Sequence, residues 1–222
     1  MHTDRWARLA PLTGLGTVVL WVLGVIVLET VGDTPGDDAT AQDFAAYFER
    51  DENSIYIGAF LLFVGAGLLV WFAGSLRAAI AAVEGGVART ASIVFGAAVA
   101  TAVLSMAVFA PQVSAAFAAN ETDAPLTPEA AQALWFAGDG FFVATEFAAA
   151  LLLAATAVSV LRTRVLPRWL AWVSFLVALV LLIPPIGWAG LIFAFPLWLI
   201  VVSLLLVRRE TRTVSEPRGA VA

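Results

Sequence analysis

The chain alternates between long apolar runs and short polar connections, and the runs lack the polar stripe that a helix on a soluble protein carries. The segment "FLVALVLLIPPIGWAGLIFAFPLWLIVVSLLLV" at 175–207 contains no charged residue. A bilayer core about 30 Å thick takes roughly 20 apolar residues of helix. On that measure the pattern predicts one all-α, polytopic membrane helix bundle over 1–222, with six transmembrane helices at about 10–28, 56–76, 91–113, 135–161, 169–183 and 188–207. The last two are joined by "IPPIGWAG", where Pro184 and Pro185 disfavour a continuous helix, so a tight turn between two spans is expected. The alternative is one span and one re-entrant piece. Arg5 and Arg8 ahead of the first run look like the start of a signal peptide, but Ala39-Thr40-Ala41 lies too far beyond the run for ordinary cleavage, so the first span is expected to remain.

The connections carry their own signals. In the long loop 29–54, Thr40 stands three residues before Asp43, a capping-box spacing, and Phe44, Tyr47 and Phe48 follow on one helical face. A short amphipathic helix at 41–50, folded back over the bundle as a lid, is predicted. Thr127, Pro128 and Glu129 form a helix start, so the fourth helix should begin near 128 and project above the bilayer. "EGG" at 84–86 is a turn signal. The polar tail 208–222 is expected to be disordered.

Charge orients the helices. Arg5, Arg8, Arg77, Arg89, Arg162, Arg164, Arg168, Arg208 and Arg209, with Arg212 and Arg218, fall on one side of a six-span arrangement; only Arg50 falls on the other. The positive-inside rule then places both termini in the cytoplasm, as expected of a multi-pass protein of the plasma membrane. Ten acids in the outer connections against Arg50 leave −9 outside, and eleven arginines against four acids leave +7 inside.

Composition removes whole classes of chemistry. The chain has no Cys and no Lys, and its one His is His2, near the terminus. Thiolate nucleophiles, Schiff bases, Cys or His metal cages and His general bases are therefore not expected. No catalytic constellation, cofactor site or metal site is legible, and nothing points to nucleic acid. The expected partners are the lipid bilayer and, through small-residue stretches such as "FAAALLLAATA", another copy of the chain or another membrane protein.

The exception to the apolar pattern is "WFAGDGFFVATEFAAALLLAA" at 135–155, which carries Asp139 and Glu146. Counting about 20 residues back from Arg162 puts the outer hydrocarbon edge near 142. Asp139 then lies at headgroup level and Glu146 about 6 Å below the edge, on the same helical face. An ionisable group at that depth needs a reason. No Arg, Lys or His lies in any predicted span to pair with it, so Glu146 is either neutral or faces a wet crevice. The same count brings Glu29 and Gln112 to the outer edges of spans one and three, and the four residues form a candidate polar crevice with Glu146 at its floor.

"RWARLAPLTG", "WFAGSLRAAIAAVEGG", "LRTRVLPRWLAW" and "PLWLIVVSLLLVRR" resemble a group of actinobacterial six-span membrane proteins of the domain-of-unknown-function kind. The resemblance covers most of the chain and implies six spans in an actinobacterial inner membrane. It brings no catalytic residues. The sequence thus points first to a non-enzymatic accessory, sensor or scaffold subunit. The alternative is a small transporter or cation-binding protein that uses a crevice around Glu146.

Overall fold

A computed structural model describes residues 9–36, 38–123 and 126–215, with side chains up to Arg209. Every regular element among them is helical. A 3-10 turn, Ala10–Leu12, leads into α1 (Thr13–Glu29); α2 (Ala41–Arg50) and α3 (Glu52–Glu84) follow, then α4 (Arg89–Asn120) and α5 (Pro128–Thr163). The last part consists of α6 (Arg168–Leu181), α7 (Pro184–Ala189), a π-helical stretch Gly190–Ala194 and α8 (Phe195–Ser215). Five stretches are long and apolar enough to cross a membrane: 10–29, 52–84, 89–120, 128–163 and 184–209. A further apolar helix, α6, expected from the sequence to cross, has 14 residues. That is about 21 Å of helix at 1.5 Å per residue, less than a hydrocarbon core.

Several expectations change in detail. Pro184 and Pro185 do not end a helix; they open α7 at its first two positions, where a missing N–H costs nothing. The break falls just before them, at Leu182 and Ile183. Helix α8 continues through Ser215, so the tail expected to be disordered is helical as far as 215, and residues 216–222 lie outside the described residues. Arg5 and Arg8 also lie outside them. Pro111 sits inside α4 without ending it.

The long helices pack side by side in the order α1, α3, α4, α5, α6, and α8 closes the bundle against α1. The α1–α3 contact depends on small residues. A Cβ at Gly24 would stand 2.9 Å from the carbonyl oxygen of Gly58, and one at Gly58 would stand 3.1 Å from that of Gly24. Trp21 lies over Gly65 and donates its indole N–H to the Leu62 carbonyl at 3.3 Å. Bare backbone lets two helices approach this closely, which is how packing gains energy where lipid offers no hydrophobic drive. Farther along, the Trp198 indole N–H donates to the Ser174 hydroxyl at 2.8 Å, joining α8 to α6 in the buried interior.

The two ends of the bundle differ. At one end the α3–α4 turn, the α5–α6 turn and the last turns of α8 come together, and with them Arg77, Arg89, Arg162, Arg164, Arg168, Arg208 and Arg209. The Arg209 guanidinium donates to the Ala79 carbonyl at 3.1 Å and ties α8 to α3 there. Gly85, Gly86 and Ala88 all have positive φ in the α3–α4 turn. Ala88 offers no side-chain cap to α4, and Glu84 reaches across instead, accepting from the N–H groups of Thr90 (2.8 Å) and Ala91 (2.9 Å). Hydrogen bonding by Thr90, then by Ala91, holds the Glu84 carboxyl below its ordinary range, with Arg162 adding to the effect.

At the other end α2 lies across the bundle. Its capping box forms: the Thr40 N–H and hydroxyl both reach Asp43 at 2.7 Å, and these bonds hold the Asp43 carboxyl below its usual range. Phe44, Tyr47 and Phe48 are buried against Trp135 of α5, with ring centroids 5.4–6.2 Å apart. The Asn120 amide holds the Phe48 carbonyl at 3.0 Å. The amphipathic helix is thus packed onto the ends of α4 and α5, as an aromatic face of this kind requires.

Candidate functional site

Helix α5 begins cleanly. Thr127 accepts from the Ala130 N–H at 3.3 Å and Pro128 occupies the first turn. From there an uninterrupted helix carries Asp139 and, two turns later, Glu146 along one side. The neighbouring α6 stops at Leu181, short of the height that α5 reaches. The chain then reverses through Leu182 and Ile183, and the Gly187 N–H returns to the Ile183 carbonyl at 2.8 Å. This tight reversal sets the tip of the α6–α7 hairpin against α5 at the level of Glu146.

Gly187 makes the contact. A Cβ there would lie 2.7 Å from Oε2 of Glu146, 2.9 Å from its Cδ and 2.9 Å from the Leu181 carbonyl oxygen. The carboxyl occupies the space that any other residue's side chain would fill. Glu146 is only 4% exposed, and neither a hydrogen bond nor an ion pair reaches its carboxyl among the described residues. A carboxyl on so enclosed a residue is costly unless water or a ligand in the adjoining space reaches it.

Next to it lies a cavity of about 530 Å³ between α5 and the hairpin tip. Asp139 and Glu146 both line it, Asp139 exposed toward the mouth and Glu146 buried. Phe142, Phe147 and Trp188 supply aromatic walls, and Leu181, Leu182 and Pro184 supply aliphatic ones. Comparison with protein-family models, curated proteins and solved structures found no match to this chain. The reading of the cavity therefore comes from its own chemistry.

Two of the four residues expected to ring a crevice share this cavity, and two do not line it. Gln112 lies toward the α4 side of α5, its Nε2 3.9 Å from where a Cβ of Gly138 would be. Glu29 is exposed at the end of α1 near the lid. There burial, and after it the Glu29 charge, raises the Tyr47 hydroxyl above its ordinary value. Sequence reasoning missed Gly187 and Trp188 as partners of Glu146. "IPPIGWAG" reads as a turn, and nothing local in it shows which helix the turn will touch.

Two carboxylates among aromatic rings can hold a cation. Among the described residues no group of three or more His, Cys, Asp and Glu side chains converges as a metal ion would require. Carboxylate charge combined with ring faces and an apolar wall suits an organic cation with an apolar body.

Proposed function

We propose that this chain is a non-catalytic binding protein of the cytoplasmic membrane, and that its cavity at Glu146 takes up an organic cation with an apolar body from the acidic face. In this reading the chain crosses six times, α6 being the shorter partner of the final hairpin, and both ends lie with the arginines in the cytoplasm. Ala10 and Arg209 flank one groove at the arginine-rich end, which supports an even number of crossings. The acidic connections opposite would concentrate cations near the mouth.

One observation carries the binding role: a glutamate only 4% exposed, its carboxyl without a protein partner among the described residues, beside a cavity it shares with a second acid. A ligand cation is the missing counter-charge. The test is binding of tetraphenylphosphonium to the protein in nanodiscs, for the wild type, Glu146→Gln and Asp139→Asn. The expected result is saturable binding, weakened more than tenfold by Glu146→Gln, the equivalent of about 1.4 kcal/mol, and less by Asp139→Asn, which sits at the mouth. Binding of equal strength in wild type and Glu146→Gln overturns the proposal.

A further inference from the structure

A second cavity, of about 610 Å³, opens at the opposite end of the molecule. It lies between the α5–α6 connection and the last turns of α8. Arg164 and Arg168 line it from one side and Arg208 and Arg209 from the other, and among the described residues no acid lines it. Positive-inside topology asks only that arginines be on this side. It does not ask that four of them, from segments some forty residues apart, converge on one concavity.

Two further features point to an anion, and two more hold the site in place. Arg164 has φ 54°, a left-handed conformation at the end of α5 where glycine is the favoured residue. An arginine stands there although the backbone conformation favours glycine. Pro167 and Arg168, also in the lining, begin α6, whose N-terminus has no side-chain cap and places the positive end of a 14-residue helix at the cavity. The connection itself is anchored, with Val165 and Leu166 buried at 7% and 5% exposure. Arg209 is held in place by its bond to the Ala79 carbonyl, which uses one of its five N–H groups. The backbone of the connection and one of the four guanidinium groups are therefore set before a ligand arrives.

We infer that this cavity is a binding site for a phosphate group. Guanidinium forks match phosphate oxygens in geometry as well as charge. The phosphate can arrive on an anionic phospholipid of the surrounding leaflet or on a soluble molecule, and the experiment separates the two. The full chain is purified into nanodiscs of phosphatidylcholine alone, of phosphatidylcholine with phosphatidylglycerol, and of phosphatidylcholine with inorganic phosphate added at constant ionic strength. Tm is measured in each, and lipid retained per chain is counted by native mass spectrometry. The variants are Arg164→Gly, which relieves the backbone while deleting the charge, Arg168→Gln, and Arg77→Gln as a control at the same end but outside the cavity.

A rise in Tm with phosphatidylglycerol, with one lipid retained, is expected if the phosphate comes from lipid. A rise with inorganic phosphate alone is expected if it comes from solution. In either case Arg164→Gly and Arg168→Gln abolish the rise and Arg77→Gln keeps it. No anion-dependent rise in either arm overturns the proposal, as does a rise that survives Arg164→Gly and Arg168→Gln. Loss of the rise in Arg77→Gln to the same degree also overturns it, because the effect would then be diffuse surface charge. Should either cavity variant fail to fold, Arg208→Gln replaces it under the same criteria.

Discussion

Glu146 and Gly187 are separated in sequence by the second half of α5, a connection, the whole of α6 and a chain reversal, yet a single methyl group on Gly187 would come within 2.7 Å of the Glu146 carboxyl. The same methyl would meet the Leu181 carbonyl oxygen at 2.9 Å, which cannot swing aside as a side chain can. Gly187→Ala is expected to displace the carboxyl and open the hairpin slightly. Overpacking of this kind costs roughly 1–3 kcal/mol. Tetraphenylphosphonium binding and Tm should both fall. Gly190→Ala is the comparison, since its Cβ would meet the side chains of Val180 and Leu181 at 3.1 and 3.2 Å, which can adjust. It should lower Tm less and leave binding unchanged.

The glycines of α3 fall into two kinds. At Gly58 a Cβ would strike Leu28 at 2.6 Å and the α1 backbone at 3.1 Å, whereas at Gly67 and Gly74 it would meet nothing within 4 Å. Gly58→Ala should destabilise the fold by about 1–3 kcal/mol. Gly67→Ala and Gly74→Ala should be neutral or should stabilise by up to about 1 kcal/mol through helix propensity. Reversible unfolding in mixed micelles measures all three, and equal losses at the three positions would contradict the close α1–α3 packing.

Ser174 accepts the indole proton of Trp198 in the interior, at 2.8 Å. Ser174→Ala strands that N–H, at a cost of about 1–3 kcal/mol. Trp198→Phe, made on the Ser174→Ala background, should cost less than Trp198→Phe alone. A double-mutant cycle in unfolding free energy reads the coupling directly. A coupling of zero would mean that the bond contributes nothing to holding α6 against α8.

The Glu84 carboxylate caps α4, and its hydrogen bonds lower its proton affinity in the folded state. The unfolded chain then binds the proton more readily. The stability from this cap is present above the ordinary glutamate value of 4.5 and is lost as pH falls below it, through the lowered folded-state value. Hydrogen exchange at the Thr90 and Ala91 amides should be slow at neutral pH and accelerate, relative to neighbouring amides, on acidification. Glu84→Gln should remove that pH response and leave exchange faster at neutral pH.

Much of this architecture can be read from the chain, because it follows from local rules. The apolar runs give the helices, Thr40 and Asp43 give the start of α2, and Thr127 with Pro128 gives the start of α5. Depth is also legible, since residue counts from Arg162 measure height along a helix. Angle around the bundle is not. Glu146, Asp139, Gln112 and Glu29 come out at similar heights, but which of them share a cavity depends on how α4, α5 and the hairpin are rotated against one another. Packing sets that rotation through contacts such as Gly138 on the Val108 carbonyl, where a Cβ would lie 2.7 Å away. The shortness of α6 is legible too, since the apolar run 169–183 stops at Pro184 and Pro185; what is not legible is that the chain then turns back against α5 at Gly187.

That short helix has a consequence for the lipid around it. In the proposed six-crossing arrangement, a bilayer core of about 30 Å would meet about 21 Å of α6 only by pinching, and the pinch would fall beside the Glu146 cavity, bringing headgroups and water down to its mouth. Bending a bilayer costs fractions of a kcal/mol per Å of mismatch. Two copies that turned this side toward each other would share one deformation where separate copies need two. The membrane itself would then draw the proteins together, mouth to mouth, before any side chain of one touched the other.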